Sequence, residues 1–231
     1  MRKVQLLASI ALLTVSVFGE ANATVDGGFK GTLYLQQANS TNLLTGVQAK
    51  NNLLYVNQVG QNGNLNANQS GSSNSSKVIQ GYGGYAQLSQ SGSLNQLSIN
   101  QQSYNGYAVA SQVGTGNSAR IDQLSSYNSA TISQVGKYNS ANISQSSGRY
   151  NEASIRQIGV SNSIAKISQN GEGNFAEISQ SNNGTKESNN FASITQNGDR
   201  NSVSVTQIGA GRNYNITQNG SFQKPITIVQ K

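Results

Sequence analysis

Of the residue types that could do chemistry, this chain offers dispersed carboxylates and two glycine-rich hexapeptides, with no cysteine and no histidine. That removes thiolate nucleophiles, disulfides, and imidazole for proton transfer or metal binding. A wound chain could bring Glu172 beside Asp199, or Glu152 beside Glu177, the carboxylate pairing that glycoside hydrolysis uses. Isolated acids such as these and Asp122 and Glu187 more commonly keep an apolar strand soluble. Gly114-Thr115-Gly116-Asn117-Ser118-Ala119 and Gly171-Glu172-Gly173-Asn174-Phe175-Ala176 fit the G-x-G-x-x-A of a dinucleotide site, which requires a helix that neither segment shows. The expectation is a protein that is not an enzyme, with no cofactor and no metal.

The polar groups that do recur are amides. Glutamine returns at Gln37, Gln48, Gln58, Gln69, Gln80, Gln90, Gln101, Gln112, Gln123, Gln134, Gln145, Gln157, Gln169, Gln180, Gln196, Gln207, Gln218 and Gln230. The spacings are 10 to 12 residues except for 16 between Gln180 and Gln196, where Asn182 to Lys186 reads as a lengthened turn. Six residues before the glutamine stands an asparagine in most repeats: Asn42, Asn52, Asn74, Asn95, Asn117, Asn128, Asn139, Asn151, Asn174, Asn190 and Asn201. Two residues after it stands a glycine in many: Gly60, Gly92, Gly114, Gly136, Gly159, Gly171, Gly198, Gly209 and Gly220, as a tight corner with positive φ requires.

The elements that carry these amides follow from the residues between them. Positions two and four before each glutamine are overwhelmingly apolar, as in Ala119 and Ile121, Ala130 and Ile132, Ala141 and Ile143, or Val203 and Val205. The alternate positions are mostly polar. Apolar residues at period two mark a half-buried strand, with asparagine, apolar pair and glutamine on one face. A strand and a turn take 11 residues, so a closed two-stranded rung takes 22, and glycine and serine turns alternate in places (Gly114 and Gly136 against Ser125 and Ser147). The fold class expected is all-β, a β-solenoid of about nine rungs, roughly 43 Å tall at the cross-β strand spacing. In register, each buried amide can donate to one neighbouring copy and accept from the other, which satisfies groups that would otherwise cost about 1 to 3 kcal/mol each.

The first 23 residues have the layout of a secretory signal: Arg2 and Lys3, an apolar run from Val4 to Phe18, and Ala21-Asn22-Ala23 as a small-residue cleavage site. The run is too short to span a bilayer as a helix, so no integral membrane segment is expected after cleavage. The division expected is a signal at 1–23, an N-terminal segment at 24–36 and the repeat domain at 37–231. Cleavage leaves thirteen cations against seven anions, scattered along the chain, so the charge reads as a solubility term and no nucleic-acid partner is expected.

Gln112-Val113-Gly114-Thr115-Gly116-Asn117-Ser118-Ala119-Arg120-Ile121-Asp122-Gln123 closely resembles the curlin repeat, and the resemblance runs over roughly residues 33–230. It implies export across the outer membrane, assembly into extracellular amyloid fibres at the bacterial surface, and a role in biofilm matrix and adhesion. The partners it implies are further copies of the chain, a second curlin subunit and the outer-membrane secretion machinery. Residues 24–36 hold only Gly27, Gly28 and Gly31, where the family's major subunits are glycine-rich. With the recurrent Ala-x-Ile-x-Gln strands and a basic end at Lys224 and Lys231, the chain is more similar to the minor, nucleating curlin.

At the last strand, Lys224 occupies the asparagine slot and Pro225, the only proline, follows it. An inward lysine and a residue without an N–H would make this end the poorer template, giving either polar growth or a frayed terminus. Tyr127, Tyr138 and Tyr150 fall in turns, where they could stack between rungs, form an adhesive surface or simply pack the corner. The competing reading is a soluble monomeric solenoid that binds polysaccharide or another surface. Ice binding would favour an outward rank of threonine, whereas these outward positions mix Ser, Asn, Thr, Lys, Arg and Glu.

Overall fold

The computed structural model describes residues 3–6, 12–18, 21–26, 32–38, 42–48, 51–182 and 188–231, with side chains described from residue 51 onward, Val160 excepted. It contains the strands β1 (Lys3–Leu6), β2 (Leu12–Phe18), β3 (Ala21–Asp26), β4 (Thr32–Ala38), β5 (Asn42–Gln48), β6 (Leu53–Val59), β7 (Asn64–Ser72), β8 (Ser75–Gln80), β9 (Tyr85–Ser93), β10 (Gln96–Gln101) and β11 (Tyr107–Thr115). There follow β12 (Ser118–Gln123), β13 (Ser129–Lys137), β14 (Ser140–Ser147), β15 (Glu152–Ser161), β16 (Ile164–Asn170), β17 (Phe175–Ser181), β18 (Phe191–Asn197), β19 (Ser202–Ile208), β20 (Asn213–Asn219) and β21 (Ile226–Gln230).

Odd-numbered strands form one parallel sheet and even-numbered strands the other, so each strand pairs with the next but one in sequence. This is a two-sheet β-solenoid. Strands β6 to β21 make eight rungs with described side chains, and β4 with β5 makes a ninth. Strands β1 and β2, and half of β3, fall in the segment read as a signal, at the N-terminal end of the two sheets.

Register follows the amide pattern: Ala108 pairs with Ala130, Ala110 with Ile132 and Gln112 with Gln134. In the other sheet Ala119 pairs with Ala141, Ile121 with Ile143 and Gln123 with Gln145. The chain reverses direction between the two strands of a rung, so the glutamine of one strand lies beside the start of the facing strand, as Gln123 does beside Tyr107. Ile99, Ile121, Ile132, Ile143, Ile155 and Ile178 are fully buried in one continuous core.

The corners divide the molecule in two. From β7 to β13, odd strands run on through glycine (Gly71, Gly92, Gly114, Gly136), whereas β8, β10 and β12 end at their glutamine. From β14 onward a stacked glycine column lies on the opposite corner, at Gly148, Gly171, Gly198 and Gly220. The exchange coincides with register shifts after Val135, where the offset between paired residues rises from 23 to 24, and after Gln145, where it falls from 24 to 23.

Candidate assembly ladders

In the odd-numbered sheet Gln69 Nε2 donates to Gln90 Oε1 at 2.7 Å, Gln90 to Gln112 at 2.8 Å, and Gln112 to Gln134 at 2.8 Å. The series continues from Gln134 to Gln157 at 2.9 Å, Gln157 to Gln180 at 2.8 Å and Gln180 to Gln207 at 2.8 Å. In the even-numbered sheet Gln58 donates to Gln80 at 2.8 Å, Gln80 to Gln101 at 3.5 Å, Gln101 to Gln123 at 2.9 Å and Gln123 to Gln145 at 2.9 Å. Gln145 donates to Gln169 at 2.9 Å, Gln169 to Gln196 at 3.0 Å and Gln196 to Gln218 at 3.1 Å. Every one of these bonds points toward the C-terminal end.

A primary amide has two N–H donors, and the second one ties the sheets together. Gln123 Nε2 also donates to the Tyr107 carbonyl at 3.0 Å, Gln134 to Ser118 at 3.1 Å and Gln145 to Ser129 at 2.9 Å. Each accepting carbonyl opens a strand of the opposite sheet. Each of these three glutamines therefore holds register along the stack and closure across it.

The asparagines act differently from the amide-to-amide ladder expected of them. Their Oδ1 accepts the backbone N–H one rung on: Asn74 from Asn95, Asn95 from Asn117, Asn128 from Asn151, Asn151 from Asn174 and Asn174 from Asn201. Their Nδ2 clamps a turn carbonyl, from Asn95 to Gly114, Asn117 to Gly136, Asn151 to Gly171, Asn174 to Gly198, Asn190 to Gly209 and Asn201 to Gly220. Asn139 accepts from the Ser163 N–H at 3.1 Å, and Ser163 Oγ accepts from the Asn190 N–H. The shorter asparagine side chain reaches the corner backbone, whereas glutamine has the extra methylene to reach its own copy. Amide-to-amide bonds persist only as a second, longer contact, as between Asn117 and Asn95 at 3.2 Å.

The corner glycines Gly60, Gly92, Gly114, Gly136, Gly159, Gly171, Gly198 and Gly209 all have positive φ. At Gly114, with φ +123, a Cβ would also collide with the Gly136 carbonyl of the next rung. Tyr127, Tyr138 and Tyr150 take the left-handed conformation, with φ of 59, 56 and 58. Tyr127 and Tyr150 stack at 5.5 Å between centroids, as do Tyr82 with Tyr104 and Tyr85 with Tyr107.

Several features escaped the sequence reading. Ser76 replaces an apolar core residue, taking a bond from Gln69 and giving one to Gln90. An outer ladder runs from Ser146 Oγ to Asn170, from Asn170 to Asn197 at 3.0 Å, and from Asn197 to Asn219 at 2.9 Å. Its available signal was the triplet Gln-Asn-Gly, repeated at residues 169–171, 196–198 and 218–220. The cations read as scattered are partly gathered by winding, since Lys77, Arg120 and Lys166 share one outward column of the even-numbered sheet.

At the C-terminal edge, Lys224 is exposed and not inward, and its carbonyl accepts from Gln218 at 3.0 Å. The N–H that meets Asn201 Oδ1 belongs to Gln223, one residue earlier, because the last turn has an extra residue. Pro225, also exposed, directly precedes β21. The Gln230 Oε1 is buried without a partner, so the odd-sheet ladder ends at Gln207.

The set-aside motifs serve the corners. Gly114–Ala119 spans the corner from the end of β11 into β12, Gly171–Ala176 runs from a turn into β17, and Asp199 Oδ1 accepts the Glu172 N–H at 2.8 Å. Among the described residues no group of three or more His, Cys, Asp or Glu could hold a metal, and no helix is long and apolar enough to cross a membrane. Residues 183–187, with Glu187 and most of the lengthened turn expected at Asn182 to Lys186, lie outside the described residues, as do the side chains of Gln37, Gln48 and Asn42.

What the ladders describe is a repeat defined by stacked amides, and the curlin associated repeat matches residues 126–159 and 188–220. The chain carries curlin repeats. Both matched segments contain ladder glutamines, Gln134, Gln145 and Gln157 in the first and Gln196, Gln207 and Gln218 in the second. No curated protein matches this curlin-repeat chain. The family is one of structural amyloid subunits.

Proposed function

We propose that this curlin-repeat chain is exported after loss of residues 1–23 and stacks end to end into extracellular curli-type fibres at the bacterial surface, serving biofilm matrix and adhesion. Within that reading it sits on the nucleating side, templating a second curlin subunit after passage through the outer-membrane secretion machinery.

The observation that supports fibre assembly is the state of the ends. Strands β20 and β21 each have a single neighbour; the even-sheet ladder reaches β20 at Gln218, and the odd-sheet ladder, running in the same direction, stops at Gln207, one strand short of β21. An open strand edge recruits further strands. Cleavage after Ala23 would remove β1 and β2, cut β3, and open the lower edges of β4 and β5. The shortened chain then begins on the even-numbered sheet and ends on the odd-numbered one, so a second copy continues the alternation without a break in phase. The same amides that hold rungs together within the chain would then hold chains together.

Residues 24–231, released from denaturant at micromolar concentration, should give a sigmoidal thioflavin T rise and fibres by electron microscopy. A substoichiometric amount should shorten the lag of a partner curlin. A β-rich protein that stays monomeric and dye-negative would replace the fibre reading with that of a soluble solenoid. Fibres that fail to shorten the partner's lag would leave the chain a bulk subunit.

A further inference from the structure

We propose that the outward face of the even-numbered sheet is a binding site for a linear acidic glycan with a carboxylate on every second sugar. This is a property of the single chain and does not rest on fibre assembly. Parallel register places Lys77 beside Ser98, Ser98 beside Arg120, Arg120 beside Asn142 and Asn142 beside Lys166. Cations thus occupy alternate rungs of one straight column, separated by two strand spacings, about 9.6 Å. A neutral hydrogen-bonding side chain fills each rung between. That interval suits an extended glycan, in which two sugar units separate successive carboxylates and hydroxyls fall between.

The column borders a shallow hollow of about 240 Å³, lined by Lys77, Ser98 and Arg120 and, two positions earlier on the same strands, by Ser75, Gln96 and Ser118. Serine hydroxyls and the glutamine amide can donate to sugar oxygens or accept from sugar hydroxyls, while the cations meet the carboxylates. Arg120 is oriented by Asp122, at 2.5 Å from Nε, yet its side chain stays 62% exposed. The hydrogen bond and the charge of Asp122 hold the Arg120 guanidinium above its ordinary value. The guanidinium has five donors, and those not on Asp122 can meet a ligand. Asp122 also offsets one of the three charges, so the site needs several sugars engaged at once.

Among the described residues the opposite sheet carries no such array. Its matching column reads Gln87, Val109, Thr131, Ser154, Glu177 and Ser204. A nucleic acid fits the spacing poorly, because a duplex presents a phosphate about every 3.4 Å along each strand. Single strands also bind by stacking bases on aromatic side chains. From Lys77 to Lys166 the column holds no aromatic, and Tyr55, the next residue along it, is covered by Lys77 Nζ, 5.7 Å from its ring centroid.

The test is binding of a fluorescent hyaluronan decasaccharide, whose glucuronates alternate with a neutral sugar, to residues 24–231, both as fresh monomer and as assembled material. Cello-oligosaccharide and a single-stranded oligonucleotide of equal charge serve as comparisons. Hyaluronan should bind at low salt, the neutral glycan should not, and the oligonucleotide should bind at least several-fold more weakly. Lys77→Gln with Lys166→Gln should lower hyaluronan affinity about tenfold, whereas Arg156→Gln on the other sheet should leave it unchanged. Lys77→Ser with Ser98→Lys keeps the net charge but moves one cation by a rung, and it should also lose affinity. Circular dichroism matched to the parent excludes misfolding of these outward variants. Equal affinity for oligonucleotide and glycan, or affinity unaffected by the charge-conserving shift, would overturn the proposal.

Discussion

Gln123 Nε2 stands 2.9 Å from Gln145 Oε1, one rung on, and 3.0 Å from the carbonyl of Tyr107 in the facing sheet. One side chain therefore carries a bond along the axis and a bond across it, while its own Oε1 accepts from Gln101. Gln123→Ala would strand the Gln101 donor, the Gln145 acceptor and a strand-start carbonyl. At about 1 to 3 kcal/mol for each buried group left unsatisfied, the loss should exceed about 2 kcal/mol. Gln218→Ala, at the end of the ladder, should cost less. Denaturant midpoints of the two variants provide the comparison, and equal losses would contradict the ladder's energetic role.

Ile143 is fully buried in the core, whereas its neighbour Asn142 points outward. Ile143→Ala should cost about 2 to 5 kcal/mol, as other large-to-small core changes do. Asn142→Ala should stay within about 0.5 kcal/mol. Urea unfolding with an unchanged m-value would read both.

Gly114 and Gly211 both have positive φ, but only Gly114 lies under a neighbouring rung. A Cβ at Gly211 meets nothing within 4 Å, so Gly211→Ala should cost only the left-handed backbone term, about 1 to 2 kcal/mol. Gly114→Ala adds a collision with the Gly136 carbonyl and should either destabilise by clearly more or break the pairing of β11 with β13. Thermal midpoints of the pair, with hydrogen exchange at Val135 to Lys137, would separate strain from collision.

Pro225 offers no N–H immediately before the last strand, and Lys224 beside it is exposed. Under the fibre reading, Lys224→Asn with Pro225→Ser should quicken growth at the slower fibre end. Single-fibre imaging from marked seeds measures both ends. Unchanged rates at the two ends would mean that this terminus does not set polarity.

Strand periodicity, the two-stranded rung and the glutamine column were legible because they are local. Apolar residues at period two and glutamine at 11-residue intervals constrain the backbone before any rung meets another. What the amides bond to was not legible. Asn117 and Gln123 look alike as recurring amides, yet Asn117 clamps the Gly136 carbonyl and Gln123 reaches Gln145. The outer Asn170–Asn197–Asn219 ladder was hidden for a similar reason, since its members lie 27 and 22 residues apart and meet only after an insertion is accommodated.

The sequence by itself determined that this protein is a stack of amphipathic strands with amides facing inward, because side-chain alternation and turn glycine act within a dozen residues. Only the tertiary structure decided the direction of the ladders, the exchange of the glycine column from one corner to the other, and the alignment of Lys77, Arg120 and Lys166 along one face. Those depend on which residues come to lie one rung apart, and that distance in sequence changes wherever a corner gains a residue.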